Sequence, residues 1–205
     1  MWLIWYILIT GSIFLHICHA DNSIPTYQIN SLQALYASTD GDNWNWNGLS
    51  GHWNFTNLNV NPCLDEWQGL NCNNNCTINP TSNCYITEIN LNTYNLDGTL
   101  PLDLLNLTEL IILSMPNNKI HASSIFLDDM VTLTNLETIN FSDNFLSGSI
   151  STNIINLYNL KYYIMTNNHM GSSLPSNIAE MYLLQELQLG NNHMSGTIPN
   201  MTFNT

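Results

Sequence analysis

Three pairs of acidic side chains, Asp40 with Asp42, Asp65 with Glu66 and Asp128 with Asp129, are the places where general acid–base chemistry could be sought. Each pair sits in a loop-forming segment, where short acidic side chains that bond to nearby backbone account for it. Acidic loops can also hold calcium, yet no twelve-residue pattern with a closing Glu is present. The histidines offer one pair at matched sites, His169 in NNHMGSSLP and His193 in NNHMSGTIP. Two stacked imidazoles could share a metal, but they are only two ligands. Duplication of a sequence unit carries a residue along equally well, and Asn95, Lys119 and Phe145 hold the same site elsewhere. No catalytic constellation, no metal and no cofactor is therefore expected.

Cysteine chemistry depends on compartment. Residues 1 to 20, MWLIWYILITGSIFLHICHA, form an apolar run that ends in a small residue before Asp21, the pattern of a cleaved signal peptide. The alternative is an uncleaved anchor over residues 2 to 18, near the lower length that crosses a bilayer. Export leaves an even set, Cys63, Cys72, Cys76 and Cys84, for which disulfides are the default. Three pairings are open, and the local one closes two short loops. Spacings of a zinc finger are lacking. Acceptor sequons for N-glycans at Asn54, Asn75, Asn106, Asn140 and Asn200 agree with export, whereas Pro80 spoils the one at Asn79.

The charge balance excludes further classes. Fifteen acids stand against Lys119 and Lys161, with no Arg, for a net charge of −13. Such a surface repels nucleic acid and anionic lipid, which need clustered cations. Charged side chains make up only 8% of the chain and hydrophobic ones 44%, enough for a packed core. Polarity is carried instead by 34 Asn spread along the whole length. Repeats that use Asn at fixed sites supply part of that excess, and codon bias would supply the rest.

A repeat organises everything after residue 85. Ile86, Leu110, Leu136, Leu160 and Leu184 lead successive units, separated by 24, 26, 24 and 24 residues. Three residues on come Ile89, Leu113, Ile139, Tyr163 and Leu187, then two later Leu91, Met115, Phe141, Met165 and Leu189. This alternation predicts a short strand that cannot hide its inner face alone, so units must stack and pair in parallel. Tyr94, Asn118, Asn144, Asn168 and Asn192 follow, and the four amides are expected to satisfy turn and inter-coil backbone groups as a ladder. Leu96, Ile120, Leu146, Met170 and Met194 come next, before turns such as LDGTLP and SGTIP. Gly98, Gly148 and Gly196 relieve strain there, and Pro101, Pro175 and Pro199 end the strand.

The pattern LxxLxLxxNxLxGxIP over residues 86 to 199 resembles the plant-specific leucine-rich repeats. Residues 32 to 72, LQALYASTDGDNWNWNGL followed by PCLDEWQGLNC, resemble the amino-terminal cap of the same family in its protist and oomycete form. The resemblance implies an α/β-type repeat solenoid, a right-handed coil with a parallel β-sheet on its concave face and a helical, disulfide-bonded cap. Three segments follow: a signal peptide at 1–20, a cap at 21–85, and five repeats of about 24 residues at 86–205, the last without a carboxyl-terminal cap. It also implies that Trp44, Trp46, Trp53 and Trp67 pack over the first coil and that Cys63 with Cys72 staples the cap. HASSIF and two extra residues in the second unit predict a local bulge, and Met201 with Phe203 mark an open end.

Function is expected on the outward strand positions: Glu88, Asn90, Asn92, Ile112, Ser114, Asn117, Thr138, Ser142, Asp143, Tyr162, Ile164, Thr166, Glu186 and Gln188. This polar, mildly acidic surface, with an apolar streak at Ile112, Tyr162 and Ile164, suits a protein, peptide or glycan better than an anion. A glycan on Asn140 would obstruct its middle. The expected function is that of a secreted, non-catalytic recognition module. Alternatives are the ectodomain portion of a membrane receptor kinase, and a structural wall or matrix protein whose repeats associate end to end.

Overall fold

The structure, a computed structural model, describes residues 24–56, 60–73, 76, 84–122 and 124–200. The leader, the sequon at Asn75 and the pair Met201 and Phe203 lie outside the described residues. Among the described residues no helix is long and apolar enough to cross a membrane.

Helix α1 (Thr26–Ser38) comes first and β1 (Leu70–Cys72) second. Five strands then recur at the repeat period: β2 (Ile86–Asn90), β4 (Ile112–Ser114), β6 (Thr138–Asn140), β8 (Tyr162–Ile164) and β10 (Glu186–Gln188). They form one sheet in the order β1-β2-β4-β6-β8-β10. All neighbours from β2 onward are parallel and in register, so Ile89, Leu113, Ile139, Tyr163 and Leu187 stand side by side. Each unit contributes one strand and returns to start the next, which is the geometry of a solenoid. Strand β1 was not anticipated. It pairs with β2 antiparallel, covering the edge of β2 and leaving only a three-residue strand as the edge of the sheet.

On the way out of each large-sheet strand, short segments pair again: β3 (Asp97–Thr99) with β5 (Lys119–His121), and β7 (Ser147–Gly148) with β9 (His169–Met170). The return path is a 3-10 turn in each of the first four coils, Leu102–Asn106, Met130–Thr132, Thr152–Asn156 and Ser176–Glu180. The second unit differs from the expected bulge. The last three residues of HASSIF open helix α2 (Ser124–Asp129), which runs into the 3-10 turn, with Phe126 and Met130 buried one helical turn apart. Helical winding advances only about 1.5 Å per residue, so it absorbs two extra residues without disturbing strand register.

The core is shared between coils. Leading residues Ile86, Leu110, Leu136 and Leu160 are buried, as are the matched sets after them, while Leu187, Leu189 and Met194 of the last described coil are only partly covered. Each ladder amide is bonded through both its nitrogen and its oxygen. Asn144 donates from Nδ2 to the carbonyls of Met115 (2.9 Å), Phe141 (3.2 Å) and Ser142 (3.1 Å), and its Oδ1 accepts from the Ile120 N–H at 2.9 Å. Asn118, Asn168 and Asn192 repeat the arrangement.

Residues 24–73 cover the first coil through aromatic rings. Trp44, Trp53 and Trp67 are buried; Trp53 stacks on Trp67 at 5.6 Å, and Trp46 meets Tyr94 edge-on at 5.7 Å. Tyr94, which replaces the ladder amide, thus makes the joint, its hydroxyl meeting Gln68 Oε1 at 3.3 Å. Gly98 is required beneath this joint: a Cβ there would lie 2.1 Å from the Ser38 carbonyl oxygen. Cys63 bonds to Cys72 and Cys76 to Cys84, the local pairing. The sulfurs of Cys63, Cys72 and Cys76 lie within 4.8 Å of one another, but all belong to disulfides and none is free to bind zinc.

Candidate recognition face

Strand alternation puts two rows of side chains on the solvent side of the large sheet. The first is Glu88, Ile112, Thr138, Tyr162 and Glu186, and the second Asn90, Ser114, Asn140, Ile164 and Gln188; in each, successive residues are direct register partners. Nine of the fourteen expected positions, together with Asn140, therefore fall in two registered rows. The apolar streak expected there is interrupted: Thr138 separates Ile112 from Tyr162, and Asn140 separates Ser114 from Ile164. Asn140 is half-buried and its Oδ1 accepts from the Ser142 N–H and Oγ at 3.0 and 2.9 Å. Asn54, Asn106 and Asn200 are exposed.

Six assigned positions need correction, five of them because they lie past the strand ends: Asn92, Asn117, Ser142, Asp143 and Thr166. The sixth, Ser114, is only 8% exposed and adds little to the surface. Asn117 and Asp143 are not on strands. They hold left-handed backbone (φ 57° each) at the turn, as do Asn167 (56°) and Asn191 (54°), a conformation that Asn and Asp tolerate best among side-chain-bearing residues. Their side chains build a second, exposed ladder: Asn191 Nδ2 donates to Asn167 Oδ1 at 2.6 Å, and Asn167 Nδ2 to Asp143 Oδ1 at 2.7 Å. Asn117 Nδ2 donates to Asn92 Oδ1 at 3.0 Å. The sequence signal was the doublet itself, since Asn117, Asp143, Asn167 and Asn191 each directly precede a ladder amide. Ser142 and Thr166 flank this ladder, partly exposed.

A shallow depression occupies the start of the face, lined by Asn47, Asn71, Glu88, Asn90, Asn92 and Tyr94. Asn71 Nδ2 donates to the Glu88 carboxylate at 2.7 Å and fixes its orientation. The remaining rings form a separate column along the side of the coil. His121, Phe145, His169 and His193 stack with centroids 5.3, 5.9 and 5.7 Å apart. The planes of His169 and His193 are only 11° from parallel.

These features, a sheet of single short strands at a 24-residue period and a double amide ladder, match known architecture. No sequence-family profile matches the chain, and no characterised protein matches it by sequence. Solved structures do. A chain of the BIR3–SERK2 complex from Arabidopsis thaliana superposes with a TM-score of 0.70 at 28% identity, over 84% of this chain and 86% of that one. The chain has a leucine-rich-repeat fold. The leucine-rich-repeat ectodomain of the receptor kinase SOBIR1 from the same plant gives 0.68 at 23% identity, over 86% of this chain and 85% of that one. The ectodomain of the receptor kinase HAESA, bound to an extended IDA peptide hormone, gives 0.57 at 33% identity over 68% of this chain. The leucine-rich-repeat chain spans 22% of that longer one.

Proposed function

We propose that this is an extracellular, non-catalytic recognition module that binds a protein or peptide partner on the solvent face of its parallel sheet. The single observation that carries the reading is the pair of registered rows, which offer side chains from five consecutive coils on one rigid surface. Among the structural neighbours, BIR3 is complexed with SERK2 and HAESA with the IDA peptide hormone, which supports a protein or peptide over a glycan as the partner here. The two disulfides and the apolar leader support an oxidising, extracellular setting, with N-glycans at the exposed sequons. An amino-terminal cap, a right-handed coil and a concave sheet complete the picture. A second reading, the ectodomain portion of a membrane receptor, is favoured by the neighbours' own nature as receptor-kinase ectodomains.

The test compares two arginine substitutions. Thr138→Arg puts a bulky cation at the centre of the face, and Tyr158→Arg does so on a side chain 62% exposed away from the strands. Partners captured by the wild-type chain from its own extracellular medium should be lost with Thr138→Arg and kept with Tyr158→Arg. Loss with Tyr158→Arg and retention with Thr138→Arg would move the site off the sheet.

A further inference from the structure

The row Glu88, Ile112, Thr138, Tyr162 and Glu186 begins and ends in a carboxylate with uncharged residues between. Neighbouring parallel strands lie about 4.8 Å apart, so four steps separate the two acids by roughly 19 Å. Among the described residues neither acid has a cationic partner. The sequence has only two basic side chains, and both are engaged elsewhere: Lys119 Nζ lies 3.8 Å from Asp97, and Lys161 Nζ 2.7 Å from Glu137. The carboxylates are instead oriented by neutral amides, Glu88 by Asn71 and Glu186 by Gln188. Held by neutral donors, neither carboxylate is shared with a cation that would compete with a ligand for it.

Resting on the sheet face being the binding surface, we propose that its ligand is an extended cationic peptide that crosses the strands, with two basic side chains bracketing an uncharged, partly apolar stretch. An extended chain advances about 3.3 Å per residue, so the bracketing cations stand roughly six residues apart. Between them the peptide meets Ile112, Thr138 and Tyr162, with Ile164 beside Tyr162 on the same strand. The overall charge of −13 raises the local concentration of such a cation and repels acidic competitors. Charge pairs at a partly solvated surface add modest affinity, so their effect is chiefly on which spacing is chosen.

The experiment is selection from a display library of random decapeptides on three immobilised full-length chains: wild type, the double variant Glu88→Gln/Glu186→Gln, and Tyr162→Ala. On wild type, enriched peptides should carry Lys or Arg five to seven residues apart, and each single Glu→Gln change should weaken a selected peptide roughly fivefold. The spacing preference should vanish on the double variant. Enrichment of peptides without paired basic residues, or no enrichment beyond that on the double variant, overturns the proposal. If such peptides still depend on Tyr162, the sheet face remains the binding surface and only the charge assignment falls. If they are indifferent to Tyr162 as well, both fall.

Discussion

Asn168 donates from Nδ2 to the carbonyl of Phe141 at 2.8 Å, reaching across to the coil before its own. Its Oδ1 accepts from the Leu146 N–H of that same earlier coil at 2.8 Å. One amide thus satisfies a donor that the stacking of two coils would otherwise strand away from water and shares an acceptor with Asn144. Asn168→Ala leaves the Leu146 N–H unpartnered and the Phe141 carbonyl with only its longer bond from Asn144, and is expected to cost about 1–3 kcal/mol. Asn192→Ala, in a coil whose ladder site is half-exposed to water, should cost less. Urea unfolding of the two variants checks the order, and equal losses would refute the buried-ladder account.

Thr93 holds φ at 65°, the site where later coils place Asn117, Asp143, Asn167 and Asn191. A β-branched side chain is strained in left-handed backbone, whereas Asn is at ease there. Because Thr93 is exposed, Thr93→Asn removes strain without opening a cavity. The substitution should raise stability by about 0.5–1 kcal/mol, read as a higher urea midpoint at unchanged slope.

Both disulfides fall between residues 63 and 84, ahead of every repeat strand from β2 onward. Reduction should therefore loosen the segment before β2 first, since its short loops lose their cross-links while the amide ladder is untouched. Hydrogen exchange after reduction is expected to quicken in residues 60–73 and to stay slow in β6 and β8. Equal protection of both regions would contradict this division.

Two tyrosines hold their phenol protons past the ordinary range. Burial raises Tyr36 to about 12, helped by its hydrogen bond to Asp42 at 3.0 Å and by that negative charge. Complete burial pushes Tyr163 up as well. The folded chain binds these protons more tightly than the unfolded one, so the stability they contribute is whole below pH 10, and the part from Tyr36 is lost as pH rises through about 12. Phenolate absorbance should show a late-titrating fraction that merges with the rest in denaturant. Tyr163→Phe should remove part of that fraction and leave the fold intact.

What the sequence revealed and what it concealed have the same physical root. Apolar residues at fixed offsets from Ile86 to Met194 revealed strands, core and ladder, because a stacked coil demands the same side chain at the same place each time. Asn117 and Asp143 were assigned to the face as side chains lying between core sites, but the strands end before them and left-handed backbone turns them to the side. Strand β1 was concealed because three residues, Leu70, Asn71 and Cys72, carry no periodic signal; their pairing is set by the edge of β2. Helix α2 was concealed because a two-residue insertion says that the path changes and not how.

The most direct measurement is hydroxyl-radical footprinting of the chain alone and with a bound partner. The account predicts that Ile112, Tyr162 and Ile164 lose reactivity in the complex, while Tyr158 and Tyr182, 62% and 79% exposed on the other side of the coil path, react as in the free chain. Protection of Tyr158 and Tyr182 with unchanged labelling of Tyr162 would contradict it.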